Sequence, residues 1–169
     1  VVATIMPNYV GLALDPDKGL LACDRLGEGR MANIDIIQLA IQHAFIRTAH
    51  NPSFEYDLKG INFLVTAGPT IEDIDATRYL SNRSSGKMGV LFAQAARFRG
   101  ANVELINGPL QIPTSYLEGL KTYEARNAND FKKIISKVQP NHDAIAMSAA
   151  IVDLRTKGGQ KKNKMTKED

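Results

Sequence analysis

A stretch of twelve residues near the middle of the chain, RYLSNRSSGKMG at 78–89, combines glycines and side chains that suit the binding of an anion. Glycine lets a backbone approach a ligand closely, serine donates a hydroxyl hydrogen bond, and arginine holds phosphate through two parallel hydrogen bonds. A helix that begins after the stretch would point its free N–H groups at the same ligand. The residues that carry this prediction are Arg78, Asn82, Ser84, Ser85, Gly86, Lys87 and Gly89. An ordinary serine and glycine helix cap with exposed basic side chains is the alternative interpretation.

The stretch matches neither of the two common glycine-rich nucleotide loops. A P-loop requires serine or threonine after its Gly-Lys pair, whereas Met88 occupies that position and Ser81 replaces the first glycine. A dinucleotide loop requires three glycines directly after a strand, but Ser84 stands at the first position. Seventeen residues also separate Gly68 from Gly86. This spacing disfavours an oxidoreductase that binds NAD(P).

The hydrophobic pattern around the stretch predicts alternating strands and helices, and therefore the α/β class. Strands are expected within 61–68, 101–108, 120–125 and 143–154, and helices at 89–100 and 127–139. Asn127 or Asn129 caps the second helix, Gly100 ends the first and Pro140 ends the second. Because the strands lack strict alternation, we expect a Rossmann-like, mostly parallel sheet with helices on both faces.

The loops at one edge of such a sheet are the expected place for a ligand, because ligands bind beyond the carboxyl ends of parallel strands. The first and fourth predicted strands are followed there by AGPT at 67–70 and SAAIVDLR at 148–155. We expect these two segments and the stretch 78–89 to converge on one site.

A separate unit precedes the α/β unit. Turn residues at 15–19 and glycines within 21–31 predict a turn followed by a loop. The apolar periodicity of 33–50 predicts a helix capped by Asn33. The polar segment 51–60 is predicted to be a linker. Neither end of the chain has a clear start or stop signal, so we expect a piece of a longer protein.

Composition disfavours several classes of function. The chain has one cysteine, Cys23, which excludes an internal disulfide and a cysteine-based zinc cluster and fits a reducing compartment. No apolar run approaches the roughly 18 residues that span a bilayer, so no membrane segment is expected. Six basic residues within 155–167 lack intervening acids and predict a solvated segment or a mobile flap that closes on an anion. Nucleic-acid binding is disfavoured because no aromatic residues lie among them.

The motifs together resemble a known family. VTAGPTIEDIDATRYLSNRSSGKMG, GANVELINGP and SAAIVDLR closely resemble the phosphopantothenoylcysteine synthetase domain of the bifunctional flavoproteins of coenzyme A biosynthesis. GLLACDRLGEGRM resembles a segment near the end of the fused decarboxylase domain, which has a flavodoxin-like fold. The resemblance implies that 1–50 is the C-terminal remnant of the decarboxylase domain and 51–60 the linker. It also implies that 61–169 is the N-terminal part of the synthetase domain, incomplete at its C-terminus.

The resemblance implies a two-step ligation. The carboxylate of 4′-phosphopantothenate attacks CTP to form an acyl-cytidylate and pyrophosphate, and the amine of cysteine then displaces CMP. Related synthetases use CTP or ATP, and the fused decarboxylase segment favours CTP together with Mg²⁺. The decarboxylase domain uses FMN, but its catalytic histidine and flavin motif are absent from this sequence, so we expect no decarboxylation from this chain alone. The expected partners are these small molecules and a second copy of the chain in a cytoplasmic homo-oligomer, without nucleic acid or membrane.

The resemblance also implies catalytic roles for individual residues. Asn82 matches the asparagine that handles the activated pantothenoyl group, and Lys161 or Lys162 of the flap assists formation of the acyl-cytidylate. Cys23 matches the cysteine that protonates the decarboxylase intermediate. Without the resemblance, a lone cysteine is interpreted as an inert core residue.

The remaining implied residues bind the nucleotide or the substrate. Asp153 is expected to meet the ribose or Mg²⁺, with an ordinary turn residue as the alternative. Arg78 is expected to anchor phosphate or substrate, unless it pairs with Asp75 as a surface ion pair. The implied binding residues are Gly68, Pro69, Thr70, Arg78, Ser84, Ser85, Gly86, Lys87, Ala149, Ala150 and Asp153. The alternative to a ligase is a non-catalytic, Rossmann-like module that binds a nucleotide or phosphate.

Overall fold

The computed structural model describes residues 14, 16–50 and 57–165. Residue 15 of the predicted turn and residues 51–56 of the predicted linker lie outside the described residues. The elements, in chain order, are β1 (Asp17–Leu20), β2 (Leu26–Arg30), α1 (Ile34–His50), β3 (Asn62–Ala67), β4 (Ile71–Asp73), β5 (Tyr79–Ser81), α2 (Lys87–Phe98), β6 (Asn102–Asn107), β7 (Lys121–Glu124), α3 (Ala128–Val138) and β8 (Ala144–Met147). Short 3₁₀ helices occur at Thr114–Leu117 and Gln139–Asn141.

Four strands form a parallel sheet in the order β7-β6-β3-β8. β3 pairs with β6 so that Asn62 lies opposite Asn102, and it pairs with β8 so that Phe63 lies opposite Ala144. β6 also pairs in parallel with β7. All four carboxyl ends therefore lie at one edge. The predicted α/β class, the parallel sheet and the four predicted strands are confirmed.

Helices cover both faces of this sheet. Successive side chains of a strand point to opposite faces, and Leu64 and Val65 of β3 enter two different hydrophobic clusters. Both side chains are fully buried, and each such burial contributes about 1.5–3 kcal/mol. The cluster around Val65 includes Val90, Ala93 and Phe98 of α2, whereas the cluster around Leu64 includes Phe131 and Val138 of α3. The predicted cover of helices on both faces is confirmed.

Helix α1 packs the segment that precedes the sheet, called here the upstream segment (residues 1–50), against the sheet through its described residues. Ile36 and Ala40 are buried in the cluster that also holds α2, while Phe45 is exposed. The side-chain oxygen of Asn33 accepts a hydrogen bond from the N–H of Asp35 at 2.9 Å, which confirms the predicted cap. No helix in the described ranges is long and apolar enough to cross a membrane.

The ends of the other helices follow the predicted signals. The Asn127 side chain accepts a hydrogen bond from the N–H of Asp130 at 3.0 Å, and the Asp130 carboxylate accepts one from the N–H of Asn127 at 3.3 Å. This capping box selects Asn127 over Asn129. Helix α3 ends before Pro140. Gly100 follows α2 with a φ of 90°, a left-handed conformation that favours glycine.

Two antiparallel hairpins differ from the expectations. The predicted turn at 15–19 and the predicted loop at 21–31 are both wrong: β1 begins at Asp17 and pairs with β2, which begins at Leu26. The turn lies between the two strands, at 22–24. Leu20 and Leu26 are exposed in this hairpin, so its strands carry no buried alternation that the sequence could reveal. β4 and β5 pair between the predicted strand at 61–68 and the predicted helix at 89–100, where no strand was predicted. Their three residues each are too few to show a period. Helix α2 also begins at Lys87 rather than at Gly89.

Candidate functional site

The segments that follow β3 and β8 run side by side at the carboxyl edge of the sheet. The N–H of Ala150 donates to the carbonyl of Gly68 at 2.8 Å, and the N–H of Thr70 donates to the carbonyl of Ala150 at 3.1 Å. The buried hydroxyl of Thr70 accepts a hydrogen bond from the N–H of Val152 at 2.8 Å. Pro69 and Ala150 form a parallel bridge. Two of the three predicted segments therefore meet.

The hairpin β4–β5 brings the third segment to the same edge. The hydroxyl of Ser81 donates to the carbonyl of Thr70 at 2.8 Å. The next residue, Asn82, donates its side-chain N–H to the carbonyl of Ile151 at 2.9 Å. Asn82 is exposed. Its amide therefore lies at the surface where all three segments come together.

Two glycines fit the start of α2 against the end of β3. Gly86 has a φ of 78°, and a Cβ atom there would lie 2.3 Å from Leu110 Cδ2 and 3.0 Å from Gly68 Cα. A Cβ atom on Gly89 would lie 2.7 Å from the Cβ of Ala67. A larger residue at either position would clash with neighbouring atoms, so both positions require glycine. The close packing places the N-terminus of α2 next to the end of β3.

The two serines before α2 accept hydrogen bonds from the local backbone. The hydroxyl of Ser84 accepts from the N–H of Gly86, and that of Ser85 accepts from the N–H of Lys87, both at 3.3 Å. These distances lie slightly beyond the usual range for N–H to oxygen hydrogen bonds. A bound anion at this helix start would receive shorter, charge-assisted hydrogen bonds from the same N–H groups.

The ammonium group of Lys87 engages the upstream helix. It pairs with the carboxylate of Asp35 in α1 at 2.6 Å and lies 5.4 Å from the ring centre of Tyr116. The Tyr116 hydroxyl also donates to Asp35. Hydrogen bonds from Lys87 and Tyr116 hold the pKa of Asp35 below its ordinary value, and Asp35 raises the pKa of Lys87. Lys87 therefore remains charged at neutral pH, with one carboxylate in direct contact.

Arg78 pairs with Asp75, as the alternative interpretation expected, but the pair is not a surface ion pair, because the Asp75 carboxylate is buried. Its Nε and one Nη lie 2.9 and 2.5 Å from Oδ2 of Asp75. The same Nη donates to the carbonyl of Met165 at 3.1 Å. The Arg78 guanidinium, followed by the Met165 N–H, holds the pKa of the Asp75 carboxyl well below its usual range. About half of the Arg78 side chain is still exposed.

In the described part of the flap, residues 155–165, Lys161 and Met165 contact the turn of hairpin β4–β5. The N–H of Lys161 donates to the carbonyl of Ile74 at 3.0 Å. Lys161 and Lys162 are both exposed. The structure thus brings the flap lysines to the hairpin that leads directly into Asn82.

Asp153 is exposed on the segment after β8. Within the described ranges, no group of three His, Cys, Asp or Glu residues is arranged to hold a metal ion. Mg²⁺ usually keeps several waters and binds through one or two carboxylates together with phosphate oxygens. A single exposed carboxylate fits a Mg²⁺ ion that arrives with a nucleotide, and it does not fit a permanent metal cage.

Cys23 lies in the turn between β1 and β2 and is exposed. The interpretation of Cys23 as an inert core residue is therefore wrong. The segment that carries Cys23 contributes the hairpin and α1, whereas the loops around Asn82 belong to the sheet unit.

A cleft of about 450 Å³ opens next to these loops, at the carboxyl ends of β6 and β7. Leu110 lines the cleft, and its Cδ2 would lie 2.9 Å from a Cβ atom on Gly68 and 2.3 Å from one on Gly86. Asn107 lines it as well, and its buried Oδ1 has no hydrogen-bond partner among the described residues. Sequence reasoning missed this cleft because its lining comes from two strands and the long connection between them, without a local motif.

The fold and the site define a class of protein: a Rossmann-like α/β unit in which three loops, including a serine- and glycine-rich helix start, meet at the carboxyl edge of a parallel sheet. Residues 58–169 match the family model described as the DNA/pantothenate metabolism flavoprotein C-terminal domain. Because this match covers most of the sequence, the chain belongs to that family.

Curated relatives and a solved structure support this membership. The chain is 38% identical over 141 residues to the coenzyme A biosynthesis bifunctional protein CoaBC of Escherichia coli, covering 83% of this chain and 32% of the relative. It is 46% identical over 101 residues to CoaBC of Haemophilus influenzae, covering 60% and 24%. The chain thus spans about a third of the length of the first of these relatives, and less of the second. The crystal structure of the C-terminal domain of a CoaBC protein is 37% identical with a TM-score of 0.54, covering 59% of this chain and 50% of that one.

A more distant structure shares the fold alone. A Cab2 mutant in complex with phosphopantothenate-cysteine is 12% identical with a TM-score of 0.52, covering 81% of this chain and 59% of that one. At 12% identity, the similarity shows only that the two proteins share the arrangement of the sheet and helices.

Proposed function

We propose that this chain is part of a coenzyme A biosynthetic enzyme that ligates 4′-phosphopantothenate to cysteine, with CTP as the activating nucleotide. The observation that carries the proposal is the meeting of three loops at Asn82, whose amide donates to Ile151 at the carboxyl edge of the sheet. Membership in the pantothenate metabolism family supports the class of substrate.

The proposed reaction needs an activated carboxylate, because a free carboxylate is a poor acyl donor. The carboxylate oxygen of 4′-phosphopantothenate attacks the α-phosphorus of CTP, and pyrophosphate leaves. The amine of cysteine then attacks the acyl carbon, loses a proton, and expels CMP as the amide forms. The protein contributes by orienting the reactants and by balancing the negative charge of the phosphates.

Asn82 is the proposed catalytic residue at the acyl group. Its exposed amide lies where the loop before α2 meets the segment after β8, so a substrate bound across both segments would contact it. An amide N–H can stabilise the oxygen that becomes negative during attack. Loss of one such donor typically lowers the rate by about 10²–10³.

Charge around the phosphates comes from the helix start and from the flap. The N-terminus of α2, which begins at Lys87 after its cap Gly86, offers backbone N–H groups to the triphosphate. Lys161 and Lys162 are exposed near the hairpin and supply positive charge. Asp153 would hold a Mg²⁺ ion bound mainly by phosphate oxygens, and such an ion neutralises negative charge on the nucleotide.

The upstream segment, residues 1–50, is proposed to be the end of an FMN-dependent decarboxylase domain. Cys23 supports this through its exposed position in a hairpin turn, where a thiol can give a proton to a substrate. The described residues of the segment form one hairpin and one helix, which are too few to enclose a flavin ring. No flavin chemistry is therefore assigned to this chain.

A non-catalytic module that binds a nucleotide or phosphate is the second candidate. It is favoured by one observation: Lys87 and Arg78 are both paired with carboxylates, so two of the three cations in the stretch 78–89 already have structural partners. A purely structural loop would show this arrangement.

The decisive experiment measures products of the complete protein. We expect pyrophosphate release from CTP that depends on 4′-phosphopantothenate, followed by CMP release that depends on cysteine. ATP in place of CTP should give a much lower rate. Binding of CTP in calorimetry without any pyrophosphate release would contradict the ligase and support the module.

A further inference from the structure

Asp75 is a buried carboxylate at the turn of hairpin β4–β5, only 2% exposed. Its Oδ1 accepts hydrogen bonds from the N–H of Thr77 at 2.8 Å, from the Thr77 hydroxyl at 3.0 Å and from the N–H of Arg78 at 2.8 Å. These three bonds are local and close the turn. One side-chain oxygen is therefore sufficient for the turn itself.

The second oxygen, Oδ2, reaches a distant part of the chain. It accepts a hydrogen bond from the N–H of Met165 at 3.0 Å, across 90 residues of sequence. It also accepts two hydrogen bonds from the guanidinium of Arg78, which in turn donates to the carbonyl of Met165 at 3.1 Å. Asp75 and Arg78 thus hold both backbone groups of Met165.

A second contact holds the other end of the same segment. The N–H of Lys161 donates to the carbonyl of Ile74, the residue before Asp75. Residues 161–165 are therefore fixed at both ends to one hairpin turn. The lysines between these contacts, Lys161, Lys162 and Lys164, remain exposed.

An ordinary turn does not require a buried carboxylate. Asparagine or serine closes such turns through one side-chain oxygen, and burying an ionised carboxylate is costly unless it is paired and hydrogen-bonded. Closing the turn does not require Oδ2, so its hydrogen bonds with Arg78 and Met165 need another explanation.

We propose that Asp75 is a positioning residue, which acts through Arg78 and Met165 to hold the lysines at 161–164 beside the hairpin that leads into Asn82. The ligand that these lysines meet is a polyphosphate such as a nucleoside triphosphate. The identity of that ligand rests on the proposed function, whereas the positioning itself does not. Arg78 is therefore a second positioning residue, because it holds the carbonyl of Met165 in the flap.

The substitution Asp75→Asn tests Oδ2 selectively in the complete protein. Asparagine keeps an oxygen for the turn, but its NH₂ group would face the donors of Arg78 and Met165. We expect trypsin to cleave at Lys161, Lys162 and Lys164 about tenfold faster than in the parent, since one charged hydrogen-bond set is lost. Asp73→Asn is the matched control, because Asp73 lies on the same hairpin but pairs with Arg126. Equal cleavage rates in the two variants would overturn the positioning role.

A second variant leaves the hairpin unchanged. Met165→Pro removes the one N–H that Asp75 accepts from the flap, and Met165→Ala keeps it. We expect Met165→Pro, but not Met165→Ala, to reproduce the faster cleavage at Lys161 and Lys162; Lys164 is left out of this comparison, because trypsin does not cleave before proline. Unchanged cleavage in Met165→Pro would contradict the proposal even if Asp75→Asn failed to fold.

A binding measurement tests the ligand. We expect CTP with Mg²⁺ to bind Asp75→Asn about five- to tenfold more weakly than it binds the parent, and Asp73→Asn equally well. Faster cleavage with unchanged CTP affinity would overturn the assignment of the lysines to a polyphosphate. Absence of pyrophosphate release from the parent would instead count against the ligase, and would leave the cleavage result standing.

Discussion

The amide of Asn82 is the most informative side chain of the site, because a catalytic role and a structural role predict different outcomes for one substitution. Asn82→Asp removes the N–H donor and places a negative charge beside the triphosphate. In the complete protein we expect pyrophosphate release to fall by about 10²–10³. Thermal unfolding should change little, since Asn82 is exposed and donates only to the carbonyl of Ile151.

Asn102→Asp is the matched control for this substitution. Asn102 is also exposed and also donates its side-chain N–H, but it lies at the opposite edge of the sheet, where it contacts Asn62. We expect its rate of pyrophosphate release to equal that of the parent. A rate for Asn82→Asp within about twofold of the parent would leave Asn82 as a structural link between two loops.

Gly86 permits a separate prediction about stability. Alanine at this φ of 78° costs about 1–2 kcal/mol, and its Cβ would also overlap Leu110 and approach Gly68. We expect Gly86→Ala to lower the free energy of unfolding by about 2–4 kcal/mol in urea titrations. Gly158→Ala is the control, because Gly158 has a similar φ of 85° with no atom within 4 Å of a new Cβ. Equal losses in both variants would mean that close packing at Gly86 is unimportant.

Among the helices, α3 has the most explicit start signal. Asn127→Ala removes the side-chain acceptor for the N–H of Asp130, and we expect a loss of about 1 kcal/mol in the free energy of unfolding. Asn129→Ala is the control, since Asn129 lies inside the helix and contacts only exposed Arg155. Its effect should stay within a few tenths of a kcal/mol. A larger loss for Asn129→Ala than for Asn127→Ala would contradict the assignment of the cap.

Elements with long apolar runs or strong end signals were predictable from sequence, and short polar elements were not. β3 and α3 follow directly from their hydrophobic pattern and from the cap at Asn127. The hairpin β4–β5 depends instead on tertiary contacts, such as the N–H of Ile71 donating to the carbonyl of Arg126. The secondary-structure propensities of residues 71–81 contain no information about a partner 55 residues away in the sequence.

The same limit applies to the site. Its location followed from a general rule for parallel sheets, so the meeting of the three loops was predictable. The partner of Lys87 was not, because Asp35 lies 52 residues earlier on a helix of the upstream segment. The pairing of Arg78 with Asp75 was one of two alternatives, and only the geometry distinguishes them.

Across the whole molecule, the contact between Asp35 and Lys87 links the upstream segment to the start of α2. Asp35→Asn removes one negative charge there and frees the ammonium of Lys87. We expect CTP to bind this variant of the complete protein about three- to tenfold more tightly in calorimetry at low salt, with a smaller gain at high salt. The pair is partly exposed, so stability should change little.

Asp57→Asn distinguishes this local effect from a change in net charge. Asp57 pairs with Arg99 at the other end of α2, so the variant loses the same charge far from the loop. We expect its affinity for CTP to match that of the parent. An equal gain in both variants would show that net charge alone is responsible.

The strand order of the sheet has a consequence for how the chain folds during synthesis. β3 pairs with β6 about 40 residues later in the chain, but its other edge waits for β8, whose Ala144 lies 81 residues after Phe63. A ribosome adds about 5–20 residues per second, so this edge stays without its partner for about 4–16 s. The loops that meet at Asn82 can assemble only after β8 arrives. A nascent chain therefore pairs β3 with β6 first, and the edge of β3 that completes the site is the last to close.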